Sequence, residues 1–165
     1  MKWNGMKCNI NILSCLYYIL HIMYNKDSLT LPLPQAYFIW YCAWLSVPSA
    51  AYAYAHPATT HFVPIPAAVF ATSLLYWRNP IRDSWRRKLD MAVVYTGVSY
   101  NSYYAYQYTS PLQFQYYAVL IAASLGCYIT SNYLIKCGRL WPATYAHASI
   151  HLFANIANLA LYYGV

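Results

Sequence analysis

The most constraining feature of this sequence is the spacing of its charges. Residues 28–77, 91–135 and 140–165 contain no Lys, Arg, Asp or Glu. About 20 apolar residues are enough for a helix to cross a bilayer, so the first two stretches each have room for two crossings and the third for one. Only 8% of the residues are charged, whereas about a quarter are charged in a soluble domain. The sequence therefore predicts a membrane protein.

Turn signals divide these stretches into helices. The sequence predicts an all-α, polytopic transmembrane helix bundle of five to six spans, folded as a single transmembrane domain over residues 1–165. The predicted spans lie at about residues 8–24, 35–55, 62–77, 88–108, 112–135 and 141–163. The first is short and interrupted by asparagines, so it either spans, lies at the interface or packs obliquely. The prolines of LTLPLPQ are expected to block a helix start until after Pro34, and Asp83 or Ser84 is expected to cap the fourth span.

The charged residues fall in short loops between the apolar stretches. Segment 78–90 carries four arginines and one lysine, and Lys136 and Arg139 lie in the loop before the last span. Positive residues in short loops favour the inner side of a membrane, and an even number of predicted crossings separates these two loops. We expect an integral membrane protein with both loops inside. The net charge of +7 is attributed to this pattern, not to a basic groove, so nucleic acid is not an expected partner.

Polar side chains recur at helical spacing within three of the predicted spans. The stripes are Asp90, Gly97, Asn101 and Tyr108 on the fourth span, Ser124, Cys127 and Ser131 on the fifth, and His147, His151, Asn155 and Asn158 on the sixth. Spacings of three, four and seven residues place side chains on one face of a helix. Ionisable residues inside a membrane are costly and usually face a bundle interior or a wet cavity. We therefore expect a polar interior whose ionisable groups lie at the inner end.

Four residues of this interior are candidates for chemistry. Ser73 lies near the inner end of the third span and Asp90 at the start of the fourth. His147 and His151 lie about 9 and 15 Å into the sixth span, at 1.5 Å per residue. Each has a plainer interpretation: Asp90 pairs with an arginine of its own helix, Ser73 bonds a carbonyl of its own helix, and the histidines bond neighbouring helices. If the four act together, they should converge within about 6 Å of a common point.

The order of these residues resembles a known family. TSLLYWRNPIRDSWRRKLD places a Ser at the inner end of one span and an Asp at the start of the next, and HASIH supplies HxxxH in the last span. This is similar to the CREST superfamily of seven-span membrane hydrolases, which includes the alkaline ceramidases and the adiponectin and progestin receptors. The resemblance implies that Ser73 and Asp90 are catalytic and that His147 and His151 bind zinc. The zinc would activate water against an amide or ester of a lipid substrate drawn from the bilayer.

The sequence departs from the family at the third zinc ligand. The family has a histidine four residues after its serine, and this chain has Trp77 there. Asp90 or His21 is then the remaining candidate, or the site is degenerate and the chain is an inactive relative. The stretch between Asp90 and the histidine pair also has room for two spans fewer than the family. Two other functions stay open: a non-catalytic subunit that binds membrane-protein partners in a larger complex, and a small transporter whose path follows the polar stripes.

Overall fold

The structure is a computed structural model, and it describes residues 29–165. These residues are helical apart from turns and an isolated antiparallel bridge between Leu29 and Ile81. The prediction of an all-α fold is therefore confirmed for this part of the chain. The predicted first span at 8–24 and the candidate ligand His21 lie outside the described residues.

Six α-helices and two short 3-10 helices make up residues 29–165. The α-helices are α1 Leu33–Cys42, α2 Ser46–Ala55, α3 Pro64–Trp77, α4 Trp85–Tyr108, α5 Pro111–Lys136 and α6 Leu140–Tyr163. A 3-10 turn at Ala43–Leu45 joins α1 to α2, and another at Pro57–Phe62 joins α2 to α3. The described helices cover the predicted spans at 35–55, 62–77, 88–108, 112–135 and 141–163. The first and last helical residue of each span lies within three residues of the predicted position.

Two helix starts show how local chemistry sets the boundaries. Helix α1 begins at Leu33 with Pro34 in its first turn, so the expectation that no helix starts before the end of Pro34 is wrong. A first-turn proline is tolerated because the N–H groups there have no intrahelical acceptor. At α4, the Ser84 hydroxyl accepts a hydrogen bond from the Arg87 N–H at 3.3 Å. Of the two expected caps, Ser84 is therefore the one used, and Asp83 is not.

Gly138 forms the tight turn between α5 and α6. Its φ of 71° lies in the left-handed region, which glycine adopts without steric cost. The Gly138 N–H donates to the Ile135 carbonyl at 3.0 Å, and the Arg139 N–H donates to the Leu134 carbonyl at 2.9 Å. This pairing is a Schellman motif. It makes α5 and α6 antiparallel neighbours, and they pack more extensively than any other helix pair in the described chain.

Helix α6 is the centre of the bundle, since it contacts α1, α2 and α5. Helix α4 packs mainly on α3 and only sparsely on α5 and α6. Two buried clusters hold the ends of the bundle together. The cluster at the arginine-rich end includes Leu31, Ile39, Tyr76, Trp77, Ile135 and Ala143, and the other includes Phe62, Ala105, Tyr117, Leu161 and Tyr162. The sparse packing of α4 leaves a cavity between these clusters.

Among the described helices, α5 is the one that is both long and apolar enough to cross a membrane. Its most apolar window has a mean hydropathy of 1.6, and 11% of that window is buried within the bundle. Helix α3 is also apolar, but it has 14 residues. Judged by length and composition alone, a membrane location thus has weak support, from one helix.

Candidate functional site

A cavity of about 400 Å³ lies within the bundle, between α3, α4, α5 and α6. Most of its wall is apolar, with side chains such as Val69, Val94 and Ile121. Small-molecule sites are typically clefts of roughly 300–1,000 Å³ with mainly apolar walls and a few polar groups. The cavity therefore has the size and the lining of a ligand site.

All four predicted site residues line this cavity. Ser73, Asp90 and His151 are buried, and His147 is partly buried. They come from three helices: Ser73 from α3, Asp90 from α4 and the two histidines from α6. The polar stripes read from the sequence thus face a shared interior. The catalytic and metal-binding roles of these residues stay predictions.

Asp90 is held by hydroxyl groups. Its Oδ1 accepts hydrogen bonds from Ser73 Oγ at 2.8 Å and from Thr72 Oγ1 at 2.9 Å, and both donors lie on α3. Within residues 29–165 no arginine forms an ion pair with this carboxylate, and its Oδ2 accepts no hydrogen bond. The plainer interpretations of Asp90 and Ser73 therefore do not hold. The carboxylate ties α4 to α3 and keeps one free acceptor oxygen in a residue that lines the cavity.

The two imidazoles are neighbours that make no hydrogen bond within residues 29–165. The ring centroids of His147 and His151 are 6.1 Å apart. Neither ring is hydrogen-bonded to another part of the described chain, and both residues line the cavity. Trp77 packs its ring against His147, with centroids 4.8 Å apart and planes at 67°. The residue at the family's third-ligand position thus lies beside the histidine pair.

The described residues do not supply a complete set of zinc ligands. A catalytic zinc ordinarily has three protein ligands and one open position. In residues 29–165, no three His, Cys, Asp or Glu side chains gather closely enough to hold a metal ion. Asp90 therefore does not complete the set with His147 and His151, and Trp77 offers only an N–H donor. Two predicted ligands, His147 and His151, are neighbours, and the remaining candidate, His21, lies outside the described residues.

Amide side chains join the helices around the cavity. Asn155 on α6 accepts a hydrogen bond from Ser49 Oγ at 2.8 Å and donates to the His151 carbonyl at 2.7 Å. Asn101 on α4 donates to Asn158 Oδ1 on α6 at 2.9 Å. The first contact fixes α2 against the turn that carries His151, and the second fixes α4 against α6. Both position the walls of the cavity without filling it.

The sequence predicts some of this arrangement and misses some. On the α4 stripe, Asp90, Gly97 and Asn101 are buried, whereas Tyr108 is exposed. Ser46 and Ser49 were not predicted, although both are buried on α2 and both contact the Asn155 side chain. The two serines are three residues apart in an apolar segment. This spacing is the sequence signal that predicts a polar face on α2.

One buried acceptor in the cavity lining has no partner. Asn101 Oδ1 is buried and makes no hydrogen bond within the described residues, and Asn101 lines the cavity. A buried acceptor left unpaired costs about 1–3 kcal/mol. This oxygen is closed off from the cavity as well as from donors in the described residues, so the cost falls on the packing of α4 and says nothing about a ligand.

Comparison with known proteins does not extend these observations. The chain matches no family model, no curated protein and no solved structure. The resemblance to the CREST superfamily therefore depends on the spacing of Ser73, Asp90, His147 and His151 alone.

Proposed function

We propose that this chain is a multi-pass membrane protein whose bundle interior binds one amphipathic lipid molecule. The observation that carries the proposal is the cavity of about 400 Å³, which is mainly apolar and has Asp90, His147 and His151 in its wall. An acyl chain suits the apolar part of such a cavity, and the polar end of the lipid would meet the carboxylate and the imidazoles.

The outer surface of the bundle supports a membrane location. Large apolar and aromatic side chains on α5 are exposed, namely Leu112, Tyr116, Val119, Leu125, Ile129 and Tyr133. A continuous exposed patch of this kind is unusual on a soluble monomer, but it is what a lipid-facing helix requires. The cluster of Trp77, Ile135 and Ala143 brings the two basic loops to one end of the bundle. That agreement supports the assignment of both loops to the inner side.

The free polar atoms around the cavity favour one kind of lipid headgroup. Asp90 Oδ2 is an acceptor that lacks a hydrogen bond from the described residues. Each neutral imidazole of His147 and His151 also offers one acceptor nitrogen. A lipid whose polar end carries a hydroxyl group or an amide N–H would satisfy these atoms. We therefore choose a long-chain acyl ethanolamide, which has both groups, as the probe.

The test is saturable binding of radiolabelled N-oleoyl ethanolamine to the purified full chain in detergent micelles. Ala154→Trp places an indole in the cavity, since Ala154 lines it, and should abolish binding. Ala122→Trp adds the same side chain on the exposed side of α5 and should bind as the wild type does. Both variants are first checked by circular dichroism and gel filtration. Equal binding by both folded variants would refute the interior site.

Metal-dependent lipid hydrolysis is the second candidate function. It is favoured by the hydrogen bond of 2.8 Å between Ser73 and Asp90, in the same cavity as the two imidazoles. A zinc ion held there by His147 and His151 would supply an activated water, and Asp90 would accept a hydrogen bond from that water. Ser73 would donate to the lipid carbonyl only by giving up its hydrogen bond to Asp90. This function requires a third ligand from outside residues 29–165, for which His21 is the candidate.

Metal analysis separates the two candidates. We compare the zinc content of the purified wild type with that of a His147→Ala, His151→Ala double variant. A second double variant, His56→Ala with His61→Ala, removes two imidazoles from the far turn of the bundle as the matched control. Hydrolase function requires zinc in the wild type and in the control but not in the first variant. Equal zinc content in all three proteins would refute the hydrolase function and leave lipid binding as the proposed function.

A further inference from the structure

A second and shallower hollow lies at the arginine-rich end of the bundle. Its wall comes from the loop before α4 and from the first turns of α4, including Arg82, Asp83, Arg87, Lys88, Met91 and Tyr95. Three of these six residues are cations and one is an acid. Within residues 29–165 none of the three cations forms an ion pair. The hollow is therefore a net positive concave surface whose charges have no partner in the described part of the chain.

Backbone contacts fix the rim of this hollow. Arg87 Nη1 donates to the Arg82 carbonyl at 3.1 Å, which folds the Arg87 side chain back toward the loop. Ser84 Oγ donates to the Ile81 carbonyl at 2.8 Å. The Thr30 N–H also donates to the carbonyl of Pro80 at 2.7 Å. These contacts fix the path of the loop, and they hold the Arg87 side chain through a carbonyl group and not through an ion pair.

The lining of the hollow changes from cationic to apolar along α4. Arg87, Met91 and Tyr95 are spaced four residues apart, so they form one stripe that spans about 12 Å along the helix axis. Cations lie at its loop end, and apolar and aromatic side chains follow at increasing depth. In the proposed membrane orientation, this order matches the order of a phospholipid, with an anionic phosphate at the water boundary and acyl chains below it.

We infer that this hollow binds the headgroup of an anionic phospholipid from the inner leaflet. A guanidinium group can bind a phosphate with two parallel hydrogen bonds, and basic pockets beside membrane helices recognise anionic headgroups. The inference rests on the membrane location in the proposed function but not on the interior ligand. The hollow and the cavity adjoin, because Arg87, Met91 and Tyr95 line both. They differ in Arg82 and Lys88, which line the hollow alone, and in Asp90, which lines the cavity alone.

The test measures binding of fluorescent phosphatidylglycerol and phosphatidylcholine to the purified full chain in micelles. Arg82→Gln with Lys88→Gln removes two cations from the hollow and leaves the Arg82 carbonyl contact intact. Arg78→Gln with Lys136→Gln removes the same two charge types from the basic end but outside the hollow. Each cation contributes slightly more than fivefold to the affinity for an anionic lipid, so the first pair of substitutions should weaken phosphatidylglycerol binding about 30-fold. The control pair should change it by less than about fivefold, and phosphatidylcholine binding should not change.

Four results would overturn the inference. Equal loss in both double variants would mean that diffuse surface charge attracts the lipid. Displacement of phosphatidylglycerol by equimolar glycerol 3-phosphate would mean that the hollow takes a soluble phosphate. Release of the chain from cell membranes by carbonate extraction would refute the proposed membrane location, and the headgroup site with it. If the chain stays in the membrane fraction but shows no preference for phosphatidylglycerol, only the headgroup site is refuted.

Discussion

Replacing Trp77 with histidine should create a zinc site that residues 29–165 lack. The ring centroids of Trp77 and His147 are 4.8 Å apart, and those of His147 and His151 are 6.1 Å apart. Two imidazoles that share a tetrahedral zinc, with Zn–N bonds near 2.0–2.1 Å, have centroids roughly 5 Å apart. A histidine at position 77 would therefore need side-chain shifts of about 1 Å to complete a set of three ligands.

The same substitution should destabilise the metal-free protein. The Trp77 side chain is 3% exposed and belongs to the buried cluster with Tyr76 and Ile135. Truncating a buried tryptophan to alanine costs about 3–5 kcal/mol, and histidine keeps part of the ring, so we expect a loss of about 2–3 kcal/mol. Zinc at 100 times its dissociation constant would return about 2.7 kcal/mol. The free energy of unfolding should thus fall without zinc and recover with it.

The assay combines zinc content after dialysis with thermal unfolding in the presence and absence of zinc. Trp77→His should retain close to one zinc per chain, and its melting temperature should rise with zinc. Trp44→His is the matched control, because Trp44 is half exposed and packs on Phe70. If Trp77→His is folded but retains no more zinc than this control, position 77 is not a ligand position. The geometric basis of the family resemblance would then be lost.

Three further predictions concern stability and binding. Gly138→Ala should lower the free energy of unfolding by about 1–2 kcal/mol, because the φ of 71° at this position is left-handed. Gly126→Ala, within α5 and facing open space, should raise it by up to about 1 kcal/mol. Chemical denaturation measures both changes. Ser49→Ala should lower the free energy of unfolding by about 0.6–2 kcal/mol, because it removes the hydrogen bond to Asn155 on α6. Ser99→Ala, at an exposed position, is the control and should change little in the same assay. Asp90→Leu should weaken binding of N-oleoyl ethanolamine about tenfold, and unchanged binding would exclude the carboxylate from the site.

Helix positions could be predicted from the sequence because local chemistry sets them. The charged segment 78–90 and the loop at Lys136 interrupt the apolar stretches, and a serine cap begins α4 as expected. Pro34 misled the prediction because the missing N–H of proline matters only after the first turn. The 3-10 turn at Ala43–Leu45 divides the predicted span 35–55. Pro48 is the signal for it that the prediction left unused, because a proline cannot donate to the carbonyl four residues earlier, here that of Trp44.

The contacts between helices could not be predicted in the same way. A stripe of polar residues shows which face of a helix is turned inward, but it does not identify the neighbour. Ser49 and Asn155 are hydrogen-bonded although 106 positions separate them. Asp90 bonds a serine of α3, while the arginines of its own first turn were the nearer candidates in sequence. Such pairings depend on which helices lie side by side, and that is decided by the packing of the whole bundle.

The lining of the cavity explains why hydropathy identifies α5 and not α6. On α4, exposed tyrosines lower the mean hydropathy as well, namely Tyr95, Tyr100, Tyr103, Tyr106 and Tyr108. Helices α4 and α6 have 24 residues each, which gives about 36 Å of helix, enough for a hydrocarbon core of about 30 Å. Their buried faces carry Asp90, Asn101, His151 and Asn155. Mean hydropathy counts these inward groups as if they faced lipid. The polar stripe of α5 includes serines that bond carbonyl groups of α6, and such hydroxyls lower hydropathy far less than a carboxylate or an imidazole. For the membrane bundle that we propose, this criterion is therefore expected to fail at α6, whose buried face carries His151 and Asn155.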